Sequence, residues 1–377
     1  MGFHGSDLPD FPWDSLAGAK ARAAAHPGGI VDLSVGTPVD PTPALAREAL
    51  AAASNSPGYP TVIGTPELRA AMVAWWARRR GATLTEAGVL PTIGSKELVA
   101  HLPSYLGLGH GDAVAHPRIA YPTYDVGARL AGATPVASDS PEEWPENTRL
   151  IWLNSPGNPH GYVLSVEELR GIVDWARQRG AVVAADECYA ELAWEEPWRS
   201  EGVPSLLDDR VTGGDHSGLL AAYSLSKQSN LAGYRAAMVA GDPEIIAAIR
   251  EIRKHSGMMV AGPVQAAMAA LLGDDSHMEE QREVYRARRD RLAPAVAAAG
   301  LELDQASAAG LYLWGRAGAP SSEVVDAMAG RGILVAPGTF YGPAGEGYVR
   351  IALSGSDERI DAAVERLGEG RLGDWES

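Results

Sequence analysis

Ala181-Val182-Val183-Ala184-Ala185-Asp186 is apolar at every position until it ends in a carboxylate, and Glu187-Cys188-Tyr189 follow at once. A short continuous apolar run without alternation reads as a strand covered on both faces, the environment of a parallel sheet beneath crossover helices. Outward from it the same texture recurs at Leu150–Asn154, Leu219–Ser224 and Ala236–Ala240, and upstream at Gly88–Pro91 and Ala113–His116. Between these runs helical periodicity covers Pro66–Arg80, Lys96–Leu106 and Ser165–Gly180, the last opened by a capping box of Ser165 with Glu168. The alternation predicts an α/β domain with a mainly parallel sheet.

Beyond residue 240 the pattern changes. Helices are expected over Pro243–Lys254 and Pro263–Leu272, and a long charged stretch from Ser276 to Ala299 reads as one extended helix linking two bodies. A smaller α+β unit follows, with strands at Leu311–Gly315, Ile333–Val335 and Tyr348–Leu353 and helices near Ser321–Gly330 and Asp357–Leu367. The first forty residues, rich in Pro and Gly, show no core pattern and are expected to drape over or join that unit. The expected division is a large α/β domain over 41–275 and a small domain made of 1–40 plus 276–377.

Composition narrows the function. At 377 residues, with 46% hydrophobic and 21% charged, the chain can bury a large core. Its formal charge of −16, with no basic run, argues against nucleic acid or an anionic membrane surface as a partner. The lone cysteine, Cys188, forbids an internal disulfide and any Cys-built metal site, so no metal is expected. No stretch approaches the apolar length of a membrane span, and the N-terminus lacks a basic start and an apolar core, so a cytoplasmic enzyme is expected.

Arginine carries the positive charge: of 32 basic residues only four are lysine, Lys20, Lys96, Lys227 and Lys254. Only lysine's amine can lose a proton and attack a carbonyl. Lys227 stands in Ser224-Leu225-Ser226-Lys227, directly after an apolar strand, with Arg235 eight residues on. Hydroxyls and an arginine around an amine at a strand's end form a plausible phosphate cradle and suggest pyridoxal phosphate, although S-x-S-K alone reads better as a solvated lysine in a Ser-rich loop. Asp186 at a buried strand tip could pair with a protonated pyridine nitrogen, and Tyr189 with the ring's oxygen; a helix-capping aspartate is the bland alternative. Asn154-Ser155-Pro156-Gly157-Asn158-Pro159-His160-Gly161 is first a turn, and in the sharper reading aims the Asn158 amide at that oxygen. Thr92-Ile93-Gly94-Ser95-Lys96 opens a helix whose N–H groups form an anion site, a weak signal alone. Gly107-Leu108-Gly109-His110-Gly111 lacks the spacing of a dinucleotide fingerprint.

Together these segments resemble the fold-type I pyridoxal phosphate enzymes, specifically the class I/II aminotransferases. The likeness runs from about Asp10 to Leu367 and rests on GYPTVIGTPELR at Gly58–Arg69, N-x-x-G-N-P-x-G ending at Gly161, D-x-x-Y at Asp186–Tyr189, S-x-S-K-x7-R at Ser224–Arg235, and YVRIAL at Tyr348–Leu353. It implies a large domain with a mainly parallel sheet of seven-stranded type and a smaller α+β domain. It also implies that Lys227 binds pyridoxal 5'-phosphate covalently and shuttles the substrate's α-proton, and that Asp186 keeps the pyridine nitrogen protonated. Asn158 and Tyr189 would bond the ring oxygen, while Tyr121 would stack on the ring. Gly94, Ser95, Lys96, Ser224, Ser226 and Arg235 would hold the phosphate. Tyr59 would reach the neighbouring subunit's phosphate in a homodimer with shared active sites. Arg350 would grip the substrate carboxylate, with Gly36 lining its pocket. His160 departs from the family's usual threonine without touching these roles.

Within the family, Leu33–Pro41, Ala120–Gly132, Arg253–Val260 and Ala336–Pro343 look similar to the succinyldiaminopimelate aminotransferases of actinobacterial lysine biosynthesis. The implied substrates are N-succinyl-L,L-2,6-diaminopimelate and 2-oxoglutarate. Arg118, Arg129, Arg253 and Lys254 are candidates for the distal carboxylate, each also readable as a surface charge. An aminotransferase for aspartate, glutamate or an aromatic amino acid, a carbon–sulfur lyase of the same fold, and a non-catalytic cofactor-binding protein are the rival readings.

Overall fold

The computed structural model describes residues 8–373 and 375 of the chain. Its main sheet has seven strands in the order Val89–Ile93, Ala236–Gly241, Leu219–Ser224, Val182–Asp186, Thr148–Asn154, Ala113–His116, Thr134–Ala137. All neighbours run parallel except Ala236–Gly241, which is antiparallel to both strands beside it. The expected α/β domain with a mostly parallel sheet is therefore present. The central runs Leu150–Asn154, Val183–Asp186 and Leu219–Ser224 are buried because helices cover both faces, which is why their sequences do not alternate. Pro91 is tolerated because Val89–Ile93 lies at the sheet's edge, where one side needs no ladder donor.

The helix Pro66–Arg80 falls where its periodicity placed it, and Val166–Arg179 carries the expected reciprocal Ser165–Glu168 cap. Two helices, Ala44–Ala52 and Thr123–Ala131, and the edge strand Thr134–Ala137 had no distinct sequence signal. That strand is half exposed and contains Pro135, so it lacks the apolar run that marks the central strands.

A second apolar core gathers the strands Tyr312–Arg316 and Tyr348–Ala352, the helices Ser321–Gly330 and Asp357–Leu367, and the far half of the helix Ser276–Ala298. The first forty residues are more than a drape. Leu16, Val31 and Leu33 are buried in this core, and Val31–Asp32 pairs in parallel with Ile333–Leu334. Of the two expectations, draping over that unit or joining it, the described residues show joining; no core pattern was legible because these side chains sit on a short 3-10 turn and around a two-residue strand, too few to show a period.

Candidate active site

Parallel strands carry their carboxyl ends to one edge of the sheet, where open α/β sheets hold ligands. Asn154 and Asp186 are paired across neighbouring strands there, and Asp186 pairs in turn with Ala222, two residues before Ser224. A cavity of about 1330 Å³ opens above this edge and is closed from the other side by the second core and the N-terminal residues. Gly36, Ser95, Lys96, Tyr121, Asn158, Asp186, Tyr189, Ser224, Ser226, Lys227, Arg235 and Arg350 all line it. Gly94 sits just behind that wall, against the Arg235 guanidinium. Tyr59 is elsewhere, 97% exposed on the surface.

Lys227 donates from Nζ to the Gly36 carbonyl. Burial lowers its pKa, Arg350 and Arg235 add to that effect, and Tyr312 opposes it, so the amine is easier to deprotonate than an ordinary lysine. The Asp186 carboxylate accepts from the Tyr124 phenol at 3.1 Å and from the Cys188 N–H at 3.2 Å. Burial raises its pKa, and no cation among the described residues pairs with it. Such a carboxylate is completed by a cationic N–H entering from the cavity.

Asn158 is fixed at both ends. Its backbone N–H donates to Asn154 Oδ1 at 2.7 Å, and its Oδ1 accepts from Arg350 Nη1 at 3.0 Å, which leaves Nδ2 to face the cavity. Arg350 also donates from Nη2 to the Ser34 carbonyl at 2.6 Å, while its buried Nε has no partner. Its guanidinium lies 3.9 Å from the Tyr312 ring centroid and 5.0 Å from that of Tyr341. An arginine buried, braced by aromatic faces and short of one acceptor is built to receive a carboxylate.

The anion end is equally specific. The helix Ser95–Tyr105 points its N-terminus at the cavity from Gly94, whose φ of 75° falls in the left-handed region. A Cβ there would strain this backbone and push the Arg235 guanidinium aside. Ser224 Oγ donates to Ser226 Oγ at 2.7 Å, and Arg235 itself holds a left-handed φ of 58°. Lys96 turns its ammonium between the rings of Phe11 and Tyr121, at 5.7 and 5.9 Å, so what it adds to the anion end is its backbone N–H. A dianionic phosphate, a flat ring and a protonated ring nitrogen therefore match the donors, the Tyr121 face and the Asp186 carboxylate in turn.

Sequence reasoning missed Tyr124 and Tyr312. The Tyr312 phenol lies 3.2 Å from that of Tyr189, and its ring prevents any side chain at position 36. Burial alone would raise its pKa, but Arg350 and Lys227 beside it bring it below its usual value. Nothing local marks either tyrosine, because each acts on a partner far along the chain. The distal-carboxylate candidates are also corrected. Arg129 pairs with Asp125, Lys254 with Glu251, and Arg253 is wholly buried against Glu97; only Arg118 lines the cavity, with Glu143 beside it at 3.2 Å. His160 packs on Tyr162 with ring centroids 4.1 Å apart, and burial lowers its pKa to about 4, so it stays neutral.

The family model described as aminotransferase class I and II matches residues 29–367. A probable aminotransferase of Mycobacterium tuberculosis is 57% identical over 364 residues, covering 96% of this chain and 86% of the relative. The 4-dedimethylamino-4-oxo-anhydrotetracycline transaminase OxyQ of Streptomyces rimosus is 55% identical, covering 96% and 99% respectively. A probable N-succinyldiaminopimelate aminotransferase of Thermus thermophilus superposes with a TM-score of 0.84 at 29% identity, covering 95% of this chain and 100% of that one. With this match spanning most of the cavity and of both cores, the chain belongs to the class I and II aminotransferases, enzymes that depend on pyridoxal 5'-phosphate.

Proposed function

We propose that the enzyme exchanges an amino group between N-succinyl-L,L-2,6-diaminopimelate and 2-oxoglutarate, with Lys227 as its acid–base residue. The observation that carries the chemistry is the partly buried Lys227 amine sharing one cavity with the buried Asp186 and Arg350. Pyridoxal phosphate, when bound, supplies the carbonyl carbon that takes the amino group and the ring that accepts the electron pair left by the α-proton.

In this reading Ser224, Ser226, Arg235 and the N–H groups opening the Ser95–Tyr105 helix hold the phosphate. Tyr121 covers one ring face, and the Asp186 carboxylate accepts the N–H of a protonated ring nitrogen. Asn158 Nδ2 and the Tyr189 phenol donate to the ring oxygen. Arg350 would take the substrate carboxylate and so fix the α-carbon within reach of Lys227 Nζ, which would remove the α-proton and hold it on the amine for return to the substrate skeleton. The second half-reaction runs the same steps backwards on the oxo acid. Tyr59 would then complete the site of a second copy in a homodimer, in the cytoplasm, with the chain divided into 41–275 and 1–40 plus 276–377.

The assignment of succinyldiaminopimelate rests on segment resemblance and on cations toward the cavity's mouth, Lys20, Lys96 and Arg118. A second reading has its own support: Phe11, Trp13, Tyr121, Phe340 and Tyr341 line the same cavity, and the relative from Streptomyces rimosus is named for an oxo-anhydrotetracycline. The visible absorption spectrum of the purified protein tests both. A band that bleaches with glutamate and with succinyldiaminopimelate supports the proposed pair. A response to glutamate but not to succinyldiaminopimelate turns the search to cyclic ketones, and no band after adding pyridoxal phosphate overturns the role given to Lys227.

A further inference from the structure

The long helix Ser276–Ala298 presents His277, Gln281, Tyr285 and Arg288 at spacings of four, four and three, which place them on one face. Three of them reach the loop that carries Lys227. The Tyr285 phenol donates to the carbonyl of Lys227 at 3.0 Å. His277 Nε2 lies 2.9 Å from Ser229 Oγ, and Gln281 Oε1 accepts from Asn230 Nδ2 at 2.8 Å. Asn230 sits at a φ of 51°, a left-handed conformation that a non-glycine residue keeps only when its surroundings hold it.

The same face also holds the other side of the cavity. Gln281 Nε2 donates to Asp40 at 2.9 Å, and Arg288 donates to both Asp40 oxygens at 2.8 and 2.6 Å. Asp40 ends the segment whose Ser34 and Gly36 carbonyls accept from Arg350 and from the Lys227 amine. The order Ser229–His277–Asp274 resembles a nucleophilic triad, with His277 Nδ1 2.9 Å from Asp274 Oδ2. Yet Ser229 is buried and the small cavity beside it measures about 10 Å³, room for one water and no acyl group. The cluster therefore serves geometry.

We propose that Tyr285, Gln281 and His277 are positioning residues for Lys227, and that through Asp40 the same helix sets the spacing between the Lys227 amine and the Arg350 guanidinium. The inference rests on the role given to Lys227 above. None of the three lines the large cavity; Tyr285 bonds the main chain of the lysine loop, and His277 and Gln281 bond side chains of that loop and of Asp40.

Tyr285→Phe tests it, because the ring stays in its buried site and only the phenol's donation is lost. The first readout is made on the cofactor-free protein: the apparent pKa of the Lys227 amine, from the pH dependence of its labelling by an amine-reactive reagent followed on its peptide by mass spectrometry. The groups facing that amine are Gly36, Tyr312, Arg350, Cys188 and Arg235. A loosened loop lets the amine leave them for water, so its pKa rises toward the ordinary ~10.4. The second readout is a fall in kcat of about ten- to a hundredfold, with KM for glutamate within about threefold of the parent. Asn230→Gly, which keeps the left-handed φ and removes the Gln281 contact, should shift both readouts the same way. An unchanged amine pKa and kcat in both variants overturns the proposal, and so does a lowered melting temperature with both unchanged. Lys227→Ala retaining turnover would instead break the functional reading, while the amine titration in the parent and Tyr285→Phe proteins would still stand.

Discussion

The floor and the mouth of the cavity are built on opposite principles. On the floor, Asp186, Asn158 and Arg350 are buried, Lys227 is partly buried, and each is held by a backbone or side-chain partner at or beside the strand ends. At the mouth, Phe11 is 55% exposed, Arg118 is half exposed beside Glu143, and Lys96 is held only by aromatic faces. A water-excluded floor strengthens each electrostatic contact and fixes geometry, which chemistry needs; a looser mouth can be changed without disturbing it. The contrast explains how relatives more than half identical can share a reaction while the nature of the substrate's far end stays open.

The hardest test of the floor is Lys227→Ala, which should lower the amino-transfer rate by about 10³-fold or more, the scale of a lost general base, in steady-state assays. Near-normal turnover would remove the distinction between the two regions. Asp186→Asn comes next, at roughly a hundredfold in kcat. Its stability effect has the opposite sign. Burial raises the folded pKa of Asp186, so its contribution favours folding below the unfolded value of about 3.9 and is lost as pH rises through the folded pKa. The cofactor-free Asn variant should therefore melt higher than the parent at pH 7, with the gap closing toward pH 4; a lower melting temperature at pH 7 would contradict a carboxylate waiting for a cation.

Arg350→Ala should raise KM for every α-amino acid by about ten- to a hundredfold, the loss of a charge-assisted pair, with the cofactor still bound. An unchanged KM would mean that another group holds the carboxylate. Gly94→Ala should weaken retention of pyridoxal phosphate about tenfold in equilibrium dialysis, since its Cβ displaces the Arg235 guanidinium and strains a left-handed backbone. At the mouth, Arg118→Ala should alter KM for glutamate by less than about twofold, as expected for an exposed ion pair with Glu143. A larger change for succinyldiaminopimelate alone would sharpen the contrast by placing the distal carboxylate there.

Much of this was legible before any coordinates. The buried strands announced themselves through apolar runs, and the polar residues Asp186 and Ser224 that end two of them were legible as candidates because the strand and its tip are adjacent in the chain. The capping box at Ser165 and the glycine at 94 are local in the same sense. Less was legible where the signal is sparse or distant. The N-terminal core residues are spaced too irregularly to show a period, and Arg253, read as a candidate contact or a surface charge, is buried against Glu97.

The sequence by itself determined the α/β class, the second α+β unit and the place of Asp186 and Ser224 at strand ends, because those depend on periodicity and residue chemistry over a few neighbours, whereas the roles read for Asn158, Arg350 and Gly36 came from the family resemblance. Only the tertiary structure decided which side chains meet. Lys227 bonds a carbonyl 191 residues away and Arg350 one 316 residues away. Tyr312, Tyr124 and the polar face of the Ser276–Ala298 helix acquire their partners solely through that packing. Side-chain contact across such separations is set by how sheet, linking helix and second core pack together, and no local pattern encodes it.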